Sequence, residues 1–349
     1  MAAMLAQPIM SVAKIRSDLL SWYDAHRRDM PWRAAPGEQA DPYRVWLSEI
    51  MLQQTTAAHA APYFTAFVRR WPTIEALGRA EPGEVMAAWA GLGYYARARN
   101  LLIAAKIVAE RGRFPVSQAE LRELPGVGEY TAAAIGAIVH GESANVVDAN
   151  VQRVVARLYA VEKELPGAGP ELKRLAGGMV RAERPGDWAQ ALMDLGALIC
   201  LPRAPVCGMC PLANACRARG TGRPERYPRR SARLARPHRH GVAYVLRNSG
   251  EVGMVLRPAS GMLGGMLGLP TSEWRSAPWT EREALKAAPL PCAWTVAGEV
   301  NHVFTHFSLT LAVLAAHAPR LNPSLSWMTP SAARAATPSV FRKALLLAA

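Results

Sequence analysis

Four of the five cysteines in this 349-residue sequence lie within seventeen residues, and the fifth, Cys292, lies far away. Their spacing is C-x6-C-x2-C-x5-C, formed by Cys200, Cys207, Cys210 and Cys216. Four thiolates can hold either a tetrahedral zinc ion or an iron–sulfur cluster. Zinc sites of four cysteines usually contain two C-x2-C pairs, and this sequence has one. The spacing therefore predicts a metal centre and leaves both zinc and iron open.

Two carboxylates, Glu49 and Asp148, have sequence contexts that suit the cleavage of a glycosidic bond. Glu49 lies in an apolar segment, residues 45–52, and burial would raise its pKa and make it a general acid. The alternative is that Glu49 lies on a narrow polar edge of an otherwise apolar helix. Asp148 precedes an amphipathic helix with apolar residues at 151, 154, 155 and 158, which predicts an N-cap. A carboxylate held there could also stabilise a developing cation, so the two would suit an oxocarbenium-like reaction.

The segment Leu124–Gly128, L-P-G-V-G, precedes a strong helix start at Glu129. Gly126 and Gly128 allow a tight turn and a close backbone approach to a ligand. Because the following helix N-terminus attracts anions, the segment predicts a hairpin that binds a DNA backbone. A plain helix corner with a glycine cap is the alternative.

The formal net charge of +14 indicates a polyanionic partner. Residues 217–240 contain nine arginines and one acid, Glu225, so this stretch predicts either a solvated tether between domains or a DNA contact. Helical periodicity dominates residues 12–216. Short β-rich runs follow from 241 to 349, including a hairpin at 248–250 and a strand region from Phe304 to Leu314.

Several runs together resemble the MutY-type adenine DNA glycosylases of the endonuclease III superfamily. They are Trp46–Thr55, Gly91–Asn100, the L-P-G-V-G hairpin, Val147–Arg153 and the cysteine loop. The resemblance implies a mostly α helix-hairpin-helix glycosylase fold, with a six-helix subdomain and an iron–sulfur subdomain. An α+β Nudix-like domain follows. It also implies that a [4Fe-4S] cluster is the cofactor and shapes a DNA-contacting loop.

The same resemblance implies a function. DNA is bent, and adenine opposite 8-oxoguanine, or opposite guanine, is flipped into a pocket between the two helical subdomains and hydrolysed. Glu49 protonates adenine N7, and Asp148 stabilises or briefly bonds C1′ of the sugar. The resemblance implies three further pairs of site residues. Tyr130 and Asn150 support the catalytic pair, and Arg33 and Gln190 contact the flipped adenine. Gln53 and Tyr94 wedge into the DNA around 8-oxoguanine.

Residues 241–349 resemble the Nudix-related C-terminal domain of the same family. The glutamate-rich Nudix box is missing, so diphosphate hydrolysis is not expected. Phe304, Thr305 and His306 match the loop that recognises 8-oxoguanine, with threonine where serine is usual. A strand whose Thr305 and His306 simply face solvent is the alternative.

We expect a monofunctional enzyme, because Tyr130 stands where endonuclease III has the lysine that forms a Schiff base. The rival interpretations are an endonuclease III-like glycosylase and lyase for oxidised pyrimidines, and a non-catalytic iron–sulfur DNA-binding protein. We further expect a monomer that acts on double-stranded DNA in the cytoplasm, nucleoid-associated if bacterial. Met1–Asp18 lacks a secretory signal, and no apolar stretch reaches the roughly 18 residues that span a bilayer.

Overall fold

The computed structural model describes residues 10–231, 236–258, 261–304 and 306–349. The chain divides into two compact units, Met1–Ala232 and Arg233–Ala349. The first unit is helical and the second combines a mixed sheet with helices, so the predicted fold class is confirmed. Among the described residues, no helix is long and apolar enough to cross a membrane.

Ser, Thr or Asp side chains cap many helices of the first unit, where they accept hydrogen bonds from otherwise unpaired first-turn amides. These helices are α1 Val12–His26, α2 Pro42–Leu52, α3 Ala57–Arg70, α4 Ile74–Gly78, α5 Pro82–Ala88, α6 Ala96–Arg111, α7 Gln118–Arg122, α8 Glu129–His140, α9 Ala149–Tyr159, α10 Gly169–Gly177, α11 Pro185–Leu198 and α12 Arg217–Gly220.

The first unit has two main hydrophobic cores. Helices α2 to α8 surround one of them, which contains the fully buried Trp46 and Trp89. The other is formed by α1 together with α9 to α12, so the chain leaves this core after α1 and returns to it at α9. Helix α8 also packs against α11 so closely that a Cβ on Gly186 would lie 2.8 Å from the Ala137 carbonyl oxygen.

The described part of the predicted linker, residues 217–240, differs from a tether. Residues 217–231 pack on the second core: Ala218 and Tyr227 are buried, and the Tyr227 hydroxyl donates to Glu162. At the other end, His238 already begins the first strand of the second unit. The arginine count concealed this packing, because the few apolar side chains between the arginines anchor the segment.

The sheet of the second unit has the strand order β3-β2-β1-β5-β4, with β6 paired to β2. Strands β1 and β5 are parallel, and the other pairs are antiparallel. The predicted hairpin is confirmed, since Ser249 and Gly250 both adopt positive φ between β1 and β2. The elements are β1 His238–Asn248, β2 Glu251–Leu256, β3 Leu267–Gly268, α13 Glu281–Lys286, β4 Thr295–Val303, β5 Ser308–His317, β6 Ser326–Met328, α14 Pro330–Ala336 and α15 Ser339–Leu347.

The strand region predicted from Phe304 to Leu314 begins later than expected. The Phe304 amide donates to the Phe307 carbonyl oxygen at 2.8 Å, which closes a turn between β4 and β5. His306 is exposed on this turn, and Thr305 lies outside the described residues. The turn interrupts the apolar run that had suggested one continuous strand.

Candidate active site

A cleft of about 1580 Å³ opens in the first unit, between residues of its two cores. Its walls come from α1, α2, α8, α9 and α11 and from the segment between α1 and α2. The cleft brings together seven predicted site residues that are scattered along the chain: Arg33, Glu49, Gln53, Tyr130, Asp148, Asn150 and Gln190.

Glu49 lies on α2 with only 7% of its surface exposed. Burial, with a smaller contribution from the charge of nearby Asp148, raises its pKa to a net value of about 7. A hydrogen bond from Tyr130 and the positive charge of Arg33 act in the opposite direction. The apolar sequence around Glu49 thus creates a carboxyl group that can both hold and release a proton near neutral pH.

Tyr130 lies in the first turn of α8 and reaches across to Glu49. Burial raises the pKa of its hydroxyl, and the charges of Glu49 and Asp148 raise it further. The hydroxyl therefore keeps its proton and can act as a hydrogen-bond donor towards Glu49. This contact stabilises the ionised form of Glu49 and limits the rise of its pKa.

Asp148 is the predicted N-cap of α9. One carboxylate oxygen accepts from the Val151 amide at 2.7 Å, and the other accepts from Asn150 Nδ2 at 2.8 Å. Both bonds fix the carboxylate at the positive end of the α9 dipole. The capping role therefore holds the carboxylate in the cleft wall, close enough to Glu49 for their charges to interact.

Asn150 is itself held by a second set of contacts. Its Oδ1 accepts from Arg153 at 2.9 Å, and Arg153 also donates to the carbonyl oxygens of Gly196 and Cys200, each at 2.7 Å. A Cβ on Gly196 would lie 2.6 Å from the Asn150 Cβ. Glycine at 196 is required for this approach, which connects the Asp148 support to the start of the cysteine loop.

Arg33 is committed to an ion pair within the cleft wall. Its two terminal nitrogens donate to both oxygens of the fully buried Asp194, at 2.7 and 2.8 Å. Arg28 joins the same carboxylate at 2.6 Å. Burial alone would lower the pKa of Arg33, but the hydrogen bonds and the charge of Asp194, together with the charges of Tyr23 and Glu49, outweigh burial and raise it. The guanidinium is therefore rigidly oriented before any ligand arrives.

Three further residues predicted for the first unit lie outside the cleft walls. Tyr94 is 52% exposed at positive φ, in the loop before α6. Gly126 has φ +84° and forms the hairpin turn, and Gly128 is the N-cap of α8. Gln53 connects these regions, because its Nε2 donates to the Gly126 carbonyl oxygen at 3.2 Å.

The four clustered cysteines are free thiols that line one small cavity together with Arg157. Arg157 donates to the Cys200 sulfur at 3.3 Å, and the Cys216 thiol donates to the Arg157 carbonyl oxygen at 3.4 Å. Burial, with smaller contributions from the three neighbouring thiols, raises the pKa of Cys210 to about 12. In the described part of the chain, no three His, Cys, Asp or Glu side chains meet closely enough to hold a metal ion as they stand.

In the second unit, Phe304 packs against His302, Trp274 and Phe307, next to the exposed His306. This aromatic packing supports the turn between β4 and β5. Glu283 serves the capping box of α13, where its carboxylate accepts from Thr280. Glu283 therefore has a structural role at the start of α13.

Two residues with clear roles in the first unit were not identified from the sequence, namely Asp194 and Arg153. Asp194 had the same signal as Glu49, because it is a lone acid in an apolar helical run, residues 191–198. Arg153 had no such signal. Its partners are distant carbonyl groups that only the folded chain brings near.

Comparison with known proteins agrees with this architecture. Residues 47–174 match the HhH-GPD superfamily of base excision DNA repair proteins, and residues 241–347 match the NUDIX domain. The adenine DNA glycosylase of Homo sapiens is 36% identical over an alignment 375 positions long, which covers 88% of this chain and 68% of that protein. The Mus musculus enzyme is 34% identical over an alignment of 394 positions, which covers 93% of this chain and 76% of that protein.

A solved structure of a thermostable thymine-DNA glycosylase is also similar, at 31% identity and a TM-score of 0.54. It covers 59% of this chain and 95% of that chain. The match supports the glycosylase fold for the helical unit that contains the cleft. On the strength of its curated relatives and of both domain matches, the chain belongs to the adenine DNA glycosylases, a family of DNA repair enzymes.

Proposed function

We propose that this enzyme hydrolyses the N-glycosidic bond of adenine paired with 8-oxoguanine or guanine in double-stranded DNA and leaves the strand intact. The observation that carries the proposal is Glu49, buried in the cleft with a pKa raised to about 7, beside Asp148. A base inside a duplex cannot reach such a group, so the adenine must be flipped out of the stack.

In the proposed reaction, protonated Glu49 gives its proton to adenine N7. The bond between C1′ and adenine N9 then breaks, and its electron pair leaves with the base. Asp148 stabilises the positive charge that develops on the sugar. A water molecule adds to C1′ and returns a proton to Glu49, so the enzyme emerges unchanged.

The proposed site uses the other cleft residues to orient the base. Tyr130 and Asn150 hold the two carboxylates through the hydrogen bonds described above. Gln190 and Arg33 frame the space for adenine, and Arg33 receives its fixed orientation from Asp194. A tyrosine hydroxyl at 130 cannot form a Schiff base, which favours a glycosylase without lyase activity over the endonuclease III-like alternative.

Recognition of the 8-oxoguanine side is proposed for two groups of residues. Gln53 and the exposed Tyr94 would wedge into the duplex from the first unit. Phe304, Thr305 and His306 would contact 8-oxoguanine from the second unit. The turn at Phe304 with His306 exposed supports a loop presented to a ligand over a regular strand.

We propose that Cys200, Cys207, Cys210 and Cys216 hold a [4Fe-4S] cluster. The residues fit this group, because four unpaired thiols line one cavity next to the Arg157 guanidinium, which can balance thiolate charge. When bound, the cluster would supply a rigid core for the loop between α11 and α12. The Arg153 contact to the Cys200 carbonyl oxygen would then hold one end of the Asp148 support.

DNA backbone binding is proposed for the hairpin at Gly126 and Gly128 and for arginines that follow the cysteine loop. Among residues 217–231, exposed guanidinium groups lie at Arg217, Arg219, Arg223, Arg226 and Arg230. Replacing three of these arginines by glutamine should weaken binding to every duplex and reduce the slope of log K against log salt by roughly 0.9 per lost phosphate contact. An unchanged slope would exclude them from the interface.

We also propose that the enzyme acts as a monomer, because the cleft contains both carboxylates within one chain. We propose the cytoplasm as its place of action.

The catalytic proposal is tested with duplexes that hold one 8-oxoguanine:adenine, guanine:adenine or thymine:adenine pair. Each is incubated with enzyme and analysed for strand breakage with and without hot alkali. Breakage of the first two duplexes only after alkali is expected. Breakage without alkali would support a lyase, and no breakage despite binding would support the non-catalytic alternative.

A further inference from the structure

Arg97, in the first turn of α6, is a buried cation whose role the proposed reaction does not explain. Only 8% of its surface is exposed. In the part of the chain that the structure describes, no carboxylate forms a salt bridge with it, and burial lowers its pKa. A buried charge without a counter-ion is costly, so its hydrogen bonds must supply the compensation.

These hydrogen bonds all go to two places, the C-terminal end of α2 with the residues that follow it, and the loop that precedes α6. One terminal nitrogen donates to the carbonyl oxygens of Ile50, Met51 and Gln53, at 3.1, 2.9 and 2.6 Å. The other donates to the Thr55 hydroxyl and to the carbonyl oxygens of residues 92 and 93, at 3.3, 3.0 and 3.1 Å. Arg97 thus joins the C-terminal end of α2 to the loop that precedes α6.

The two loops, residues 53–55 and 92–94, are called the wedge loops below. Each contains a residue at positive φ other than glycine, Gln54 at 58° and Tyr94 at 50°. Such backbone conformations are strained and persist only when the surroundings hold them. Arg97 also lies over the Tyr94 ring, with its guanidinium carbon 5.5 Å from the ring centroid.

We propose that Arg97 is a positioning residue that fixes the two wedge loops relative to each other and so determines how the enzyme reads the base opposite adenine. The inference rests on the proposed function, since it assigns the wedge loops to the 8-oxoguanine side. It requires an arginine, because the six contacts diverge from the two terminal nitrogens of one planar group. Lysine has three donors on a single nitrogen and cannot reach both loops in this way.

The test compares single-turnover rates of adenine release from 8-oxoguanine:adenine and guanine:adenine duplexes, for Arg97→Lys, Tyr94→Ala and the double variant. Arg111→Lys is the matched control, because Arg111 lies on the same helix in an exposed ion pair with Glu123. A displacement of about 1 Å in the reacting geometry, caused by a distant substitution, can lower the rate about 100-fold. We therefore expect Arg97→Lys to lower the ratio of the two rates about 10- to 100-fold.

The double variant separates positioning from general destabilisation. If Arg97 acts through the wedge loops, adding Arg97→Lys to Tyr94→Ala should change the rate ratio much less than Arg97→Lys alone does. Equal slowing of both mispairs, or effects that simply multiply, would overturn the inference. If Arg97→Lys does not fold, Thr55→Val removes one Arg97 contact and must lower the same ratio. A wild-type enzyme that releases no adenine would instead refute the proposed function.

Discussion

The pKa of Glu49 leads to a directional prediction for catalysis. Burial, followed by the Asp148 charge, raises this pKa to about 7, and the reaction uses the protonated form. The protonated fraction therefore falls about tenfold for each pH unit above that value. The second-order rate constant for adenine release, which reports ionisation of the free enzyme, should be level below about pH 6 and fall with a slope of −1 above about pH 8.

Replacing Tyr130 by phenylalanine provides the perturbation. The substitution removes a hydrogen bond that stabilises ionised Glu49 and leaves the ring in place. A hydrogen bond to a charged group contributes about 1.5–3 kcal/mol, and 1.36 kcal/mol corresponds to one pKa unit. Tyr130→Phe should therefore move the alkaline limb of the profile to higher pH by about one pH unit or more.

The profile is measured from pH 5 to 10 at enzyme concentrations below saturation, with DNA binding followed in parallel. The Tyr43→Phe variant is the control, since Tyr43 is also a buried tyrosine but donates to the Trp71 carbonyl oxygen, away from the cleft. Its profile should match that of the wild type. An alkaline limb that stays in place in Tyr130→Phe, or moves to lower pH, would refute the assigned contact between Tyr130 and Glu49.

Two further predictions concern the supports of the site. Asp194→Asn should reduce the free energy of unfolding by about 3–5 kcal/mol, because it leaves the buried Arg33 without its counter-ion. The control Asp187→Asn, which changes a partly exposed carboxylate paired with Arg184, should cost less than about 1 kcal/mol. The bonds from Arg33 outweigh burial and lower the pKa of Asp194 in the folded state. The stabilisation from this pair is therefore fully present above the pKa of Asp194 in the unfolded chain, and it is lost as the pH falls through the pKa in the folded state. Urea titrations should consequently show that acid destabilises Asp194→Asn less than it destabilises the wild type. Gly196→Ala should slow adenine release at least tenfold with little change in DNA binding, because the new methyl group would displace Asn150; equal loss of binding and rate would contradict this.

Local patterns predicted much of the candidate site. The apolar segment around Glu49 indicated its burial, and the start of an amphipathic helix indicated the Asp148 cap, because both effects depend on neighbours in the sequence. The hairpin at 248–250 was predictable for the same reason. The motif resemblance supplied five more residues, and the cleft brings them together with Glu49 and Asp148.

The remaining features depend on tertiary contacts that no local pattern encodes. Arg97 and Arg153 donate mainly to main-chain carbonyl groups, which every residue possesses, so their partners leave no trace in the sequence. The pairing of Arg33 with Asp194 joins residues 161 positions apart. The packing of the segment 217–231 was not evident from the sequence, because its charge is conspicuous and its anchoring depends on Tyr227 and a few other buried groups.

The proposed mechanism depends on Glu49 as the residue that protonates adenine N7 and so allows the base to leave. Its most direct test is to quantify free adenine by chromatography after single-turnover incubation of an 8-oxoguanine:adenine duplex with wild type and with Glu49→Gln. We expect the variant to bind the duplex as the wild type does and to release adenine at least 100-fold more slowly, because it lacks the general acid. Release at the wild-type rate by Glu49→Gln would show that Glu49 is not the proton donor.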